Sequence, residues 1–193
     1  MVIHQDTHYQ AVSSASVLLV EYVLSRYKND DKDVLELGSG CGIVSLMLSL
    51  SRSAWQVTGW EIAPSQVQLA RDNALLCGVN TAFVESDIKS SVHPTKADLI
   101  VSNPPWMPLG SGLRSPFPGR PAGREEILCT MQDVLEAIKR NLADAGEVVL
   151  IYPAQREEEL KTRCQNSSLD ILELNYSNEP NKYILATIRQ KGY

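Results

Sequence analysis

The chain is 193 residues long, 44% hydrophobic and 21% charged, with a net charge of −5 at pH 7. Such a length and balance suit a single globular domain with a sizeable core, and the overall acidity argues against a general nucleic-acid binder. No apolar run is long enough to cross a bilayer and no basic-then-apolar leader opens the chain, so no membrane association and a cytoplasmic location are expected.

Residues 12–27 place Val12, Ser16, Leu19, Val20, Val23 and Tyr27 at helical spacing, predicting an amphipathic first helix. Asp33–Leu37 is a short apolar strand that runs into glycines at 38, 40 and 42. Ile43, Leu46, Met47 and Leu50 mark one face of the next helix, and Gln56–Glu61 reads as a second strand. Pro64 suits the first turn of a helix that runs to about Cys77, with Gly78 as its stop. Thr81–Glu85 and Ala97–Ser102 are the third and fourth strands. Residues 103–124 hold six of the ten prolines and four glycines, which predicts a long loop. Thr130 followed by Asp133 reads as an N-cap opening a helix with Val134, Leu135, Ile138 and Leu142 on one face. Gly146–Tyr152 is a fifth strand, residues 154–164 a charged helix, and Leu169–Tyr176 with Lys182–Arg189 a closing hairpin. Strands alternating with helices predict an α/β fold, a parallel sheet with helices on both faces. In such sheets ligands sit at the carboxyl ends of the strands, near the point where strand order reverses.

The four cysteines (Cys41, Cys77, Cys129, Cys164) are far apart and form no C-x-x-C, so reduced thiols are expected. The three histidines (His4, His8, His93) are scattered, and no metal site is expected. Trp55 and Trp60 flank the second strand and read as packing residues, as does Cys41 within the glycine turn.

Two motifs stand at strand ends. The first is Glu36-Leu37-Gly38-Ser39-Gly40-Cys41-Gly42. Its glycines permit a tight turn and close approach of backbone to a ligand, and the following helix offers unpaired N–H groups. Ile43 stands where a dinucleotide fingerprint has its third glycine or alanine, so a compact nucleoside carrying an amino acid fits better than a diphosphate. Glu61, at the end of the second strand, is placed to accept from ribose hydroxyls, and Asp87, past the third, from an adenine amine.

The second motif is Asn103-Pro104-Pro105-Trp106, directly after the fourth strand. The prolines stiffen the backbone and remove two donors, leaving carbonyls to accept. The Asn103 side-chain oxygen and the Pro104 carbonyl can take both hydrogens of a planar –NH₂. As that nitrogen attacks a methyl carbon it turns tetrahedral and partly positive, and fixed acceptors stabilise the charge. Trp106 offers a face on which a base can stack. From Asn103 to Arg124 the chain carries Arg114, Arg120 and Arg124 and no acid, a local +3 that leaves −8 to the rest. An acidic body with one basic loop can still meet phosphate locally.

These motifs resemble the S-adenosylmethionine-dependent methyltransferases of the small-domain, N-P-P-[YFW] type, which methylate exocyclic amines of bases or the side-chain amide of glutamine. The chain most resembles the tRNA adenine-N6 methyltransferase family. Ser16-Val17-Leu18-Leu19 resembles that family's D-S-V-L-L element, Arg124–Leu135 its R-x-E-x-x-C-T-x-x-D-V-L run, and Asn181–Gly192 its closing strand. Two positions depart from the pattern: Ala15 replaces the usual acid, and Trp106 replaces the commoner tyrosine. The resemblance implies a Rossmann-like seven-stranded sheet, mostly parallel with one antiparallel C-terminal strand. It implies one domain over residues 1–193, with an N-terminal helical segment at 1–30 and a substrate loop at 103–125. S-adenosylmethionine would be the cofactor, held by Glu36, Gly38, Gly40, Gly42, Glu61, Asp87 and Asn103. Asn103, Pro104, Pro105 and Trp106 would hold and methylate the amine.

The expected substrate is adenine in tRNA or another structured RNA, flipped or looped out, with the three arginines on phosphates. The alternative is the glutamine of a protein such as a release factor. The acidic body suits that option, and the lack of a spare N-terminal docking domain speaks against it. A non-catalytic module that binds cofactor or RNA would be expected to have lost Asn103 or Glu61, and both are intact.

Overall fold

The structure, a computed structural model, describes residues 2–6, 12–28, 31–104, 129–177 and 182–192. Its elements run α1 (Ser14–Arg26), β1 (Asp33–Leu37), α2 (Ile43–Ser51), β2 (Gln56–Glu61), α3 (Pro64–Cys77), β3 (Ala82–Glu85) and β4 (Ala97–Ser102). After the segment holding Pro105, Trp106 and the three loop arginines, which lies outside the described residues, come α4 (Met131–Asn141) and β5 (Leu142–Pro153). A 3-10 turn (Ala154–Arg156), α5 (Glu157–Asn166), β6 (Leu169–Tyr176) and β7 (Tyr183–Gln190) complete the order.

The seven strands form one sheet in the order β3-β2-β1-β4-β5-β7-β6. The chain lays down β1, β2 and β3 in one direction, then returns to the other side of β1 with β4. All pairings are parallel except those of β7, which runs against both β5 and β6. This is the seven-stranded sheet that the resemblance implies, with its one antiparallel strand last in the chain.

Strand alternation sends side chains to opposite faces, and each face is covered. Leu35, Leu37, Ile100, Leu150 and Tyr152 pack under α4 and α5, joined by Leu135, Ile138 and Leu160. Val34, Leu99, Val101, Val149 and Ile151 pack under α1 and α2, joined by Leu19, Val23, Val44 and Leu48. Phe83 fills the space between α2 and α3 against Leu46, Val67 and Ala70. Trp55 and Trp60 are both buried in this framework.

Two local expectations need correction. In α2 the buried residues are Val44, Ser45, Leu46 and Leu48, whereas Leu50 is 47% exposed. Three of its nine residues are serines, and periodicity turns Ser45 and Ser49 away from the core, but Ser45 is drawn inward by its hydrogen bonds to the buried Glu36. The fifth strand begins at Leu142 rather than Gly146, and pairs Leu142 with Ala97 before its register shifts. The stretch Ala143-Asp144-Ala145-Gly146 forms an irregular bulge in β5. Gly146 is required there, because a Cβ would sit 2.8 Å from Leu142 Cδ1 and 3.0 Å from the carbonyl oxygens of Ala97 and Ala143.

Candidate active site

In the parallel pairing of β1 with β4, Leu37 lies opposite Ser102. The residues that leave the sheet next, Gly38 and Asn103, emerge side by side at the reversal of strand order. Ser102 is fully buried, and its Oγ donates to the Leu37 carbonyl at 2.8 Å. That bond ties the strand end bearing the glycine turn to the one bearing Asn103.

The turn is built on β2. The N–H groups of Gly38 and Ser39 both donate to the Trp60 carbonyl, at 2.9 and 2.8 Å, and Gly42 N–H donates to the Ser39 carbonyl at 2.8 Å. Gly38 and Gly42 adopt φ of 77° and 88°, a left-handed region that favours glycine. They serve different purposes. A Cβ at Gly38, or at Gly40, would meet nothing within 4 Å, whereas one at Gly42 would strike Phe83 at 2.7 Å. The first two glycines line open space, and the third lets α2 and α3 close over Phe83.

Glu61 stands beneath the turn, 7% exposed. Its Oε2 accepts from Gly40 N–H and its Oε1 from Ala63 N–H, both at 2.9 Å. It acts as a strut for the turn, and each carboxylate oxygen has a second lone pair with which to accept from a hydroxyl. Glu36 is buried one layer deeper. Its Oε2 accepts from Ser45 N–H at 3.0 Å and from the Ser45 hydroxyl, fastening β1 to the first turn of α2. Burial pushes its carboxyl up to about 8, against the opposing Ser45 hydrogen bonds and with help from the charge of Glu61.

Asp87 follows β3 at the same edge, half-buried. Its Oδ1 accepts from Lys89 N–H at 2.9 Å, and its carbonyl accepts from the N–H groups of Ser90 and Ser91. Asn103 is half-buried, and its Nδ2 donates to Ser16 Oγ at 3.1 Å. Pro104, which follows it, is buried. Glu36, the three glycines, Glu61 and Asn103 thus gather about the ends of β1, β2 and β4, with Asp87 at the end of β3. The expected contributions of Pro105, Trp106, Arg114, Arg120 and Arg124 lie outside the described residues.

Sequence reasoning missed Asn73. It is fully buried on α3, where Oδ1 accepts from His4 N–H at 2.7 Å and Nδ2 donates to the carbonyls of His4 (2.9 Å) and Cys41 (3.0 Å). One carboxamide therefore holds both the N-terminal segment and the glycine turn. The sequence signal for it was an asparagine, a poor helix former, inside a helix. His93 also has a structural role. Its backbone N–H donates to Asn141 Oδ1 at 2.7 Å and its ring Nδ1 pairs with the Thr95 carbonyl, pinning the approach to β4.

Residues 8–112 match the family model described as the methyltransferase small domain, more than half of the chain. The chain belongs to the methyltransferase small-domain family. Among relatives of this small domain, a Methanocaldococcus jannaschii protein named as a candidate protein N5-glutamine methyltransferase is 39% identical over 116 residues, 57% of this chain and 56% of that one. The tRNA1(Val) (adenine(37)-N6)-methyltransferase of Aeromonas hydrophila is 33% identical over 141 residues, 72% of this chain and 58% of that one. The chain thus spans little more than half the length of either relative. The crystal structure of a ribosomal protein L11 methylase from Lactobacillus delbrueckii subsp. bulgaricus shares the fold, with a TM-score of 0.72, 17% identity, and coverage of 96% of this chain and 83% of that one.

S-adenosylmethionine is the cofactor of this methyltransferase domain, and the residues present fit it. The turn leaves open space at Gly38 and Gly40, where a backbone can lie against a ligand. Ser39 Oγ, in the same turn, is buried with hydrogen-bonding capacity that no atom among the described residues uses. Two carboxylates stand at the neighbouring strand ends.

Proposed function

We propose that the protein transfers a methyl group from S-adenosylmethionine to an exocyclic amine, with adenine N6 of tRNA as the substrate. The observation that carries this reading is the β1–β4 register, which brings Gly38 and Asn103 out of the sheet as neighbours. Gly38, Gly40, Gly42, Glu61 and Asp87 would hold the cofactor, with Glu36 supporting the turn from below. The cofactor supplies a methyl carbon on a sulfonium whose leaving group is a neutral thioether. The chain itself contributes alignment and charge stabilisation. Asn103 Oδ1 and the Pro104 carbonyl would accept the two amine hydrogens as the nitrogen becomes partly positive, and once the N–C bond has formed one of these hydrogens is lost as a proton to water. Trp106 would stack the base, a contact worth about 1–3 kcal/mol.

Adenine is favoured by the extent of likeness. Matches to the tRNA adenine-N6 relatives run over 66–74% of this chain, those to release factor glutamine methyltransferases over 44–47%. Glutamine in a protein is the second reading, favoured by the 39% identity to the Methanocaldococcus protein and by the net charge of −5. Incubation with labelled S-adenosylmethionine and separate tRNA, rRNA and protein fractions decides between them. Label is expected in tRNA, as N6-methyladenosine, and Asn103→Ala is expected to lower the rate about 10²-fold or more. Label confined to protein would replace the first reading with the second, and an Asn103→Ala variant of full activity would refute the site.

A further inference from the structure

We infer that Ser16 is a positioning residue that holds the plane of the Asn103 carboxamide and, together with the amine, selects the end presented to it, which rests on Asn103 holding the amine as proposed above. A carboxamide is nearly symmetric in shape but not in hydrogen bonding: its oxygen accepts and its nitrogen donates. Turned over, Asn103 would aim N–H donors at an amine that also donates, and the contact would repel. In the structure Nδ2 donates to Ser16 Oγ at 3.1 Å, which directs Oδ1 away from Ser16. A hydroxyl can rotate to serve either end of a carboxamide. With an amine in place, however, a single arrangement satisfies both contacts: nitrogen to Ser16, oxygen to the amine.

Ser16 is well suited to hold this arrangement because it sits on a rigid element. It lies in the first turn of α1, where the Ser13 cap accepts its N–H on both the side-chain and main-chain oxygens, at 3.4 and 3.1 Å. Ser16 is 7% exposed, and its helix is anchored by Ala15, Leu19, Val20 and Val23, all fully buried. Asn103, by contrast, lies beyond the end of its strand. The hydrogen bond thus fastens the first residue past β4 to a helix fixed in the core, 87 positions earlier in the chain.

The test pairs kinetics with a readout that needs no substrate. In a ¹⁵N spectrum, the side-chain amide pair of Asn103 is assigned by its loss in Asn103→Asp. Ser16→Ala should shift that pair, and Ser16→Thr, which keeps the hydroxyl, should restore it. With labelled S-adenosylmethionine and unmodified tRNA, Ser16→Ala should lower kcat about 10–100-fold. KM and calorimetric cofactor affinity should stay within about twofold, and Ser16→Thr should recover most of the rate. Ser16→Ala should also add nothing to the loss caused by Asn103→Ala. An unmoved amide pair, an unchanged kcat in Ser16→Ala, or a loss of cofactor affinity that accounts for the whole defect would overturn the positioning part. Full activity in Asn103→Ala would instead overturn the reading of the site on which it rests.

Discussion

Glu36 holds its proton far above the ordinary carboxylate range, to about 8 against 4.5, chiefly because it is buried. A carboxyl that binds its proton more tightly in the folded state contributes stability that is complete below about pH 4.5 and is lost as pH rises through about 8. Thermal denaturation of the wild type and of Glu36→Gln should therefore diverge across that interval. The wild type should lose stability on the order of a few kcal/mol, while the glutamine variant keeps a flatter profile. Glu147, Glu157, Glu159 and Glu173 do not blur this comparison. Hydrogen bonds and cationic neighbours hold these carboxyls below their ordinary value, so their contributions fall away only at more acid pH. A parallel pH profile in the two proteins would show that Glu36 is ionised in the fold.

The glycine turn separates shape from space. Gly38→Ala places a methyl group in open space, at a backbone cost of about 1–2 kcal/mol. On the proposed site that methyl group would stand where the cofactor lies, so calorimetry should show lost affinity with a modest fall in melting temperature. Gly42→Ala adds a clash with Phe83 to the same backbone cost, and should destabilise by about 3 kcal/mol or more. Equal melting temperatures in the two variants would refute the division. The turn itself was legible because glycine spacing at a strand end is a local signal, and so were Glu61 and Asp87, placed by counting to the next strand ends. The fastenings around them were not. Ser102 to Leu37, Ser16 to Asn103 and Asn73 to His4 join residues 65 to 87 positions apart, using small polar side chains that carry no distinguishing mark in isolation. Periodicity within an amphipathic helix reports which face is buried, but in α2 the buried face carries Ser45, whose tie to Glu36 no periodicity reveals, and Leu50 was misassigned.

Across the molecule, net charge bears on the substrate. A chain carrying −5 overall gains nothing from general attraction to RNA, so contact with phosphates would have to come from a few local cations. If tRNA is the substrate, kcat/KM should fall steeply as salt rises from about 50 to 200 mM, because phosphate contacts release counterions. A flat response would favour a protein substrate. The sheet as a whole was foreseeable, since alternating strands and helices leave few topologies. The bulged start of β5 was not, because it depends on Ala97 in a strand distant along the chain. The Asn73 clasp has a consequence of its own. One buried carboxamide grips His4 on one side and the Cys41 carbonyl on the other, so firming either side firms its counterpart, and the effect is reciprocal. Saturating S-adenosylmethionine should slow deuterium uptake by the backbone of residues 2–6, and Asn73→Ala should abolish that protection. Uptake indifferent to cofactor would mean that the two grips act independently.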